Sequence, residues 1–206
     1  MSDIKGSKCG IYSALIGDNS DLVKEIANLY FKDGFKIADV TYGKGVFWKK
    51  INLSKYDFYP SDIRTCPESN YDFRKLPYGD GEFDILVLDP PYAHNPGKML
   101  INDSYLNKET TKGFYHKDII QLYIEGMAEG LRVLKNNGLM LIKCQDEIET
   151  SKQKISHIEI YDYAFRLKMD VEDLFILVQN KYPYIQHKEQ KHARKNHSYM
   201  WIFKKT

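Results

Sequence analysis

Asp89, Pro90, Pro91 and Tyr92 follow directly on the apolar run Ile85-Leu86-Val87-Leu88. That run has no polar alternation and reads as a buried strand of a parallel sheet. Two consecutive prolines cannot continue a central strand, so the chain leaves the sheet at Asp89. A carboxylate, two stiffened backbone carbonyls and an aromatic ring are thereby set at a strand's C-terminal end, where open α/β sheets bind their ligands. Asp89 and the Pro90 carbonyl can accept the hydrogens of an exocyclic amino group on a planar ring, and Tyr92 can stack on that ring. The plainer reading of the same four residues is a tight turn after a core strand.

Upstream, Asp39-Val40-Thr41-Tyr42-Gly43-Lys44-Gly45 sits where a strand hands over to a helix. Gly43 and Gly45 permit tight backbone geometry and close approach of a ligand. The start of the following helix would offer free N–H groups to a carboxylate or phosphate. The pattern is neither a Walker loop nor a dinucleotide fingerprint, because the lysine-bearing end of the first and the third glycine of the second are missing. Asp62 ends the next strand, where a ribose-binding acid belongs. Asp72, in Asp72-Phe73-Arg74-Lys75-Leu76-Pro77, precedes the central strand and could accept from an adenine amino group.

Taken together, Asp39-x-Thr41-x-Gly43-x-Gly45, Asp62, Asp72-Phe73-Arg74-x-Leu76-Pro77 and Asp89-Pro90-Pro91-Tyr92 resemble the S-adenosylmethionine-dependent amino-methyltransferases. Within these they are most similar to the DNA adenine-N6 enzymes with the gamma-type motif order. The resemblance covers about residues 35–180. It implies an α/β, three-layer Rossmann-like class I methyltransferase sheet, mostly parallel with an antiparallel edge strand. It also implies S-adenosylmethionine as cofactor. Asp39, Val40, Thr41, Gly43 and Gly45 would hold the methionine moiety, Asp62 the ribose, and Asp72 with Phe73 the adenine. Asp89 and the Pro90 carbonyl would hold the target amine, with Pro91 completing the catalytic motif and Tyr92 on a flipped base. The absence of a Pro-Cys nucleophile agrees with direct transfer, in which alignment and electrostatics do the catalysis.

Three other substrates would use related machinery: an exocyclic amine of ribosomal or transfer RNA, N4 of cytosine, which usually goes with Ser in place of Asp89, and a protein glutamine, which usually goes with Asn there. A nucleic-acid-binding subunit without activity would be expected to have lost the Asp-Pro-Pro-Tyr motif or the glycines, and this chain keeps both.

The elements that must position these groups alternate along the chain. Helical spacing runs over about 21–32, and strands are expected at 35–40 and 56–63, with a short element at 70–75. The central strand is 83–88. The helix after Gly45 looks short, since Asn52-Leu53-Ser54 arrives within two turns. Residues 93–117 read as a long loop, a length more often functional than not. Asp118 then caps a helix with its apolar face at Ile120, Ile124, Met127, Leu131 and Leu134. A strand at 139–143, a helix at 155–168 and strands at 174–179 and 199–203 complete the alternation, the last two as an antiparallel pair at one edge. Lys143-Cys144-Gln145-Asp146 leaves its strand at the ligand-binding edge.

Composition excludes several classes. The chain has 206 residues, 43% hydrophobic and 28% charged, which suits one globular catalytic domain spanning 1–206. No apolar run approaches the roughly 20 residues of a membrane span. The N-terminus has no signal-peptide core, and Cys9, Cys66 and Cys144 have no metal-ligand spacing. A cytoplasmic protein with reduced thiols and no metal is expected. The net charge of +2 divides unevenly: residues 181–206 hold seven Lys/Arg against one acid, and the rest is mildly acidic. That segment suggests a polyanion contact, DNA or RNA, through Lys191, Arg194, Lys195 and Asn196, with His94 and Asn95 of the long loop. With no separate target-recognition domain in view, a homo-oligomer or a specificity partner is also expected.

Overall fold

The computed structural model describes residues 10–91, 115–179 and 191–206. The strands are β1 (Ala14–Ile16), β2 (Lys36–Asp39), β3 (Asp57–Pro60), β4 (Phe83–Leu88), β5 (Leu134–Cys144), β6 (Glu147–Glu149), β7 (Lys152–Lys154), β8 (Met169–Val178) and β9 (His197–Lys205). The helices are α1 (Asn19–Tyr30), α2 (His116–Val133) and α3 (Ser156–Arg166). Seven strands form one sheet in the order β1-β8-β9-β5-β4-β2-β3. All neighbours are parallel except β9, which runs antiparallel to both β5 and β8. The antiparallel pair thus lies on one side of the sheet, with the short β1 added outside it.

Strand parity assigns each side chain to a face. Ile37, Ile85, Val87, Leu141, Met200 and Ile202 pack against Leu22, Val23 and Ile26 of α1. Ala38, Leu86, Leu88, Met140, Ile142 and Phe203 pack against Tyr123 and Met127 of α2 and Ile160 and Ala164 of α3. The result is a helix–sheet–helix sandwich with two cores. β3 is an outer strand, so Pro60 removes no needed ladder bond.

Four expectations need correction. No strand forms at 70–75, where the chain makes turns. The helix after Gly45 is reduced to two short 3-10 turns, Val46–Trp48 and Leu53–Lys55. The second begins because Asn52 caps it, its side chain accepting from Ser54 N at 3.2 Å. In α2 the buried face is Ile119, Leu122, Tyr123, Gly126, Met127, Gly130 and Val133, so Ile120 and Ile124 lie to one side of it. The glycines mark the true face. A Cβ on Gly126 would stand 2.9 Å from Phe73 and 3.1 Å from Leu88, so a bare backbone lets α2 press on the end of β4. Asp118 is also not the cap itself; it lies in the first turn and accepts from Tyr115 N at 3.2 Å.

Candidate active site

Asp39 ends β2 in register with Pro60 of β3 and Val87 of β4. Parallel strands end on one edge, so Asp39, Asp62 and Asp89 are brought together there. Beyond the strands the turns stay bonded: Val40 N to Val87 O at 3.2 Å, Ser61 N to Asp39 O at 2.8 Å and Tyr42 N to Ser61 O at 3.1 Å. Asp89 N donates to Thr41 Oγ1 at 2.7 Å. That bond ties the glycine turn to the acid-proline turn, 48 residues apart in the chain.

Gly43 and Gly45 have φ of 55° and 65°, the left-handed region that side chains rarely adopt. A Cβ on Gly45 would strike the Tyr42 ring, while one on Gly43 would meet nothing nearer than Thr41 O at 3.9 Å. Gly43 therefore faces open space, as a backbone cradle for a ligand must. Asp62 fastens the cradle. Its Oδ2 accepts from Gly43 N at 3.2 Å, and its Oδ1 accepts from Arg64 N and Thr65 N, each at 2.8 Å. The expected helix N-terminus does not contribute, because the turn that follows is only three residues long.

Asp39 is 2% exposed. Burial pushes its carboxyl up to about 7, opposed by hydrogen bonds from Trp48 and Thr41 and reinforced by the charges of Asp89 and Asp62. Those bonds are Trp48 Nε1 to Oδ2 at 2.6 Å and Thr41 N to Oδ1 at 3.1 Å. Asp89 Oδ1 is buried and has no hydrogen-bond partner among the described residues. Burial raises its carboxyl above the usual range, and the charge of Lys143 pulls the other way. Pro90 is buried and Pro91 half-buried. Tyr92, His94 and Asn95 lie outside the described residues, as do Lys181 and Lys188 of the basic segment.

Asp72 is already engaged. Arg74 donates to it from Nη2 at 2.7 Å and from Nε at 2.9 Å, and also reaches Glu125 at 3.4 Å. The guanidinium beside Asp72 holds its carboxyl below the usual range. An adenine amino group would have to share an oxygen with that guanidinium. Phe73 is half-buried and packs on the core under α2.

On the other flank, β5 delivers Lys143, Cys144, Gln145 and Asp146 to the same edge. Lys143 is fully buried, and Tyr123 Oη donates to its carbonyl at 2.8 Å. Gln145 Nε2 donates to His197 O at 2.8 Å and Lys195 O at 3.4 Å, which anchors the end of the basic segment beside the site. Lys191 and Asn196 are exposed, and Arg194 and Lys195 half-buried. Asp146 pairs with His157 Nδ1 at 2.7 Å, and the His157 ring stacks on Tyr199 with centroids 4.1 Å apart.

The β6–β7 hairpin and the histidine it encloses have no counterpart in the sequence reading. His116 is 4% exposed, with Glu147 2.8 Å from Nδ1 and Glu159 2.7 Å from Nε2. The available signal was the pairing of Glu147-Ile148-Glu149 with Lys152-Gln153-Lys154 across two residues. The turn itself, Thr150-Ser151 with φ of 49° and 59°, lacks the glycine or asparagine that marks such hairpins.

No protein-family model matches the sequence, and neither does any curated protein sequence. Solved structures do match in fold. An S-adenosylmethionine-dependent methyltransferase from Methanosarcina mazei superposes with a TM-score of 0.53 at 11% identity, covering 87% of this chain and 96% of that one. A second such methyltransferase, from Aquifex aeolicus, gives 0.52 at 13% identity over 92% and 90%. The [4+2]-cyclase SpnF gives 0.51 at 14% identity over 76% and 59%. One fold thus carries more than one chemistry, and the likeness speaks for architecture alone. With its sheet order, its single antiparallel strand among parallel neighbours and helices on both faces, the chain has the Rossmann-like class I methyltransferase fold.

Proposed function

We propose that this chain transfers the methyl group of S-adenosylmethionine to the N6 amino group of an adenine flipped out of DNA. One observation carries the reading: the open glycine cradle and the Asp89-Pro90 turn share one sheet edge and are bonded directly, Asp89 N to Thr41 Oγ1 at 2.7 Å. The residues fit the cofactor. Gly43 leaves space for it, Asp62 keeps Oδ2 lone-pair capacity for a sugar hydroxyl, and the unsatisfied Asp89 Oδ1 awaits a donor.

S-adenosylmethionine supplies, when bound, a methyl group on a positive sulfur leaving group. The chain's own residues then act on the amine. An aromatic amine is a poor nucleophile because its lone pair is delocalised into the ring. Asp89 Oδ1 and the Pro90 carbonyl accept its two hydrogens, which favours a pyramidal nitrogen with its lone pair aimed at the methyl carbon. The new C–N bond leaves a positive nitrogen, and Asp89 is placed to take its proton. Unstacking the base costs a few kcal/mol, and stacking on Tyr92 would offset roughly 1–3 kcal/mol of that. The basic segment, held by Gln145 next to this edge, would contact the nucleic-acid backbone. Sequence choice would fall to the long loop, to that segment or to a partner protein.

The test is incubation of the purified protein with labelled S-adenosylmethionine and either duplex DNA or ribosomal and transfer RNA, followed by nucleoside analysis. N6-methyldeoxyadenosine is the expected product. Label in RNA alone would move the substrate while keeping the chemistry, and no label in either would contradict the reading.

A further inference from the structure

We propose that Lys143 is a positioning residue that holds Asp89 in its charged, hydrogen-accepting form. The inference rests on the reading of Asp89 as the target-amine acceptor and adds the group on which that role depends. Leu88 of β4 is in register with Ile142 of β5, so the residues that follow, Asp89 and Lys143, lie side by side, Lys143 still paired with Met200 of β9. Both continue the face of their strands that carries Val87 and Leu141. Lys143 is fully buried, and so is Asp89 Oδ1.

A carboxylate in such surroundings needs compensation, because burial disfavours its charged form. Its other described neighbours make matters worse. Asp39 at the end of β2 and Asp89 act on each other as like charges, and Asp62 acts on Asp39 in the same sense. From β5 the facing groups are Lys143 and Cys144, with Asp146 acting on Cys144. Burial pushes the Cys144 thiol up, so it supplies no positive charge. Among these groups Lys143 alone acts to lower the Asp89 carboxyl. A protonated Asp89 would put a hydrogen where the amine's own hydrogen must go, and would have no room for the proton released after transfer. The charge of Lys143 is therefore felt at the amine through Asp89.

The test needs neither substrate nor cofactor. Aspartate labelled at the carboxyl carbon is followed by NMR across pH, and the Asp89 signal is assigned by its loss in Asp89→Asn. Wild-type Asp89 should be ionised at neutral pH. Lys143→Met should raise its midpoint by ~1–3 pH units, the size of one nearby opposite charge, and Lys143→Arg should restore it. Lys143→Gln serves where the Met variant does not fold. An Asp89 protonated at pH 7 in the wild type, or a midpoint unmoved in a folded neutral variant, overturns the proposal. Where methyl transfer is measurable, the acid limb of its rate–pH profile should move up by the same shift in Lys143→Met. A merely structural lysine would lower the rate without moving the limb. A shifted Asp89 midpoint with no transfer to any nucleic acid would leave the electrostatic pairing standing and remove the proposed function.

Discussion

Asp39 shows how one residue can be read correctly for place and incompletely for physics. Its position before the glycines marks it as the start of the glycine turn, but nothing in the chain announces that the Trp48 indole nitrogen would close on it at 2.6 Å. Its folded carboxyl sits at about 7, against 3.8 for a free aspartate. Between those values the unfolded chain ionises while the folded protein stays protonated, so rising pH favours unfolding. Stability should fall by about 1 kcal/mol per pH unit across that window and level off above it. Urea unfolding from pH 4.5 to 8 should show this slope, and Asp39→Asn should flatten it. An equal slope in the variant would assign the pH dependence elsewhere. Asp72 carries the complementary lesson. Its placement before the central strand was legible, whereas its capture by Arg74, two residues on, depends on a turn that no spacing rule describes.

At the scale of elements, strands were the easiest to read. Residues 85–88 and 139–142 are apolar runs because both faces of the sheet are covered. Helix α2 was found in place but turned, since Gly126 and Gly130 mark its contact face and carry no hydropathy signal. The β6–β7 hairpin was missed because Thr150 and Ser151 take a left-handed turn without the usual residues. This hairpin matters through His116, which joins it to the start of α2 and to α3. Carboxylates only accept, so two bonds to them require both ring N–H groups and a charged imidazolium. Burial works against that charge, but Glu147 and Glu159 outweigh it and hold the ring above its ordinary 6.5. The stabilisation is complete below pH 6.5 and is lost as pH rises through the raised value. The wild-type urea midpoint should therefore drop between pH 6 and 9. His116→Gln should start lower and lose less, and parallel losses in the two proteins would contradict this role for His116.

Across the whole molecule, the division of charge and the convergence of motifs meet at one sheet edge. The basic segment runs into β9, and Gln145 fastens it at that junction, beside Lys143 and Asp89. If Lys191, Arg194 and Lys195 contact phosphates, binding to duplex DNA should weaken with salt, each contact adding a log–log slope of about −0.9. Replacing the three by Ala should flatten the slope by roughly 2–3 units, with base preference unchanged, because phosphate contacts position without reading sequence. An unchanged slope would make the segment a solvated surface. The central claim is that a cofactor half around Gly43 and a target half around Asp89 form one site with separable duties. Single-turnover methyl transfer by Asp89→Ala, at cofactor concentrations shown by calorimetry to saturate it, tests that claim most directly. The account predicts cofactor affinity within a few fold of wild type and no detectable transfer. Transfer at a near-normal rate would contradict it.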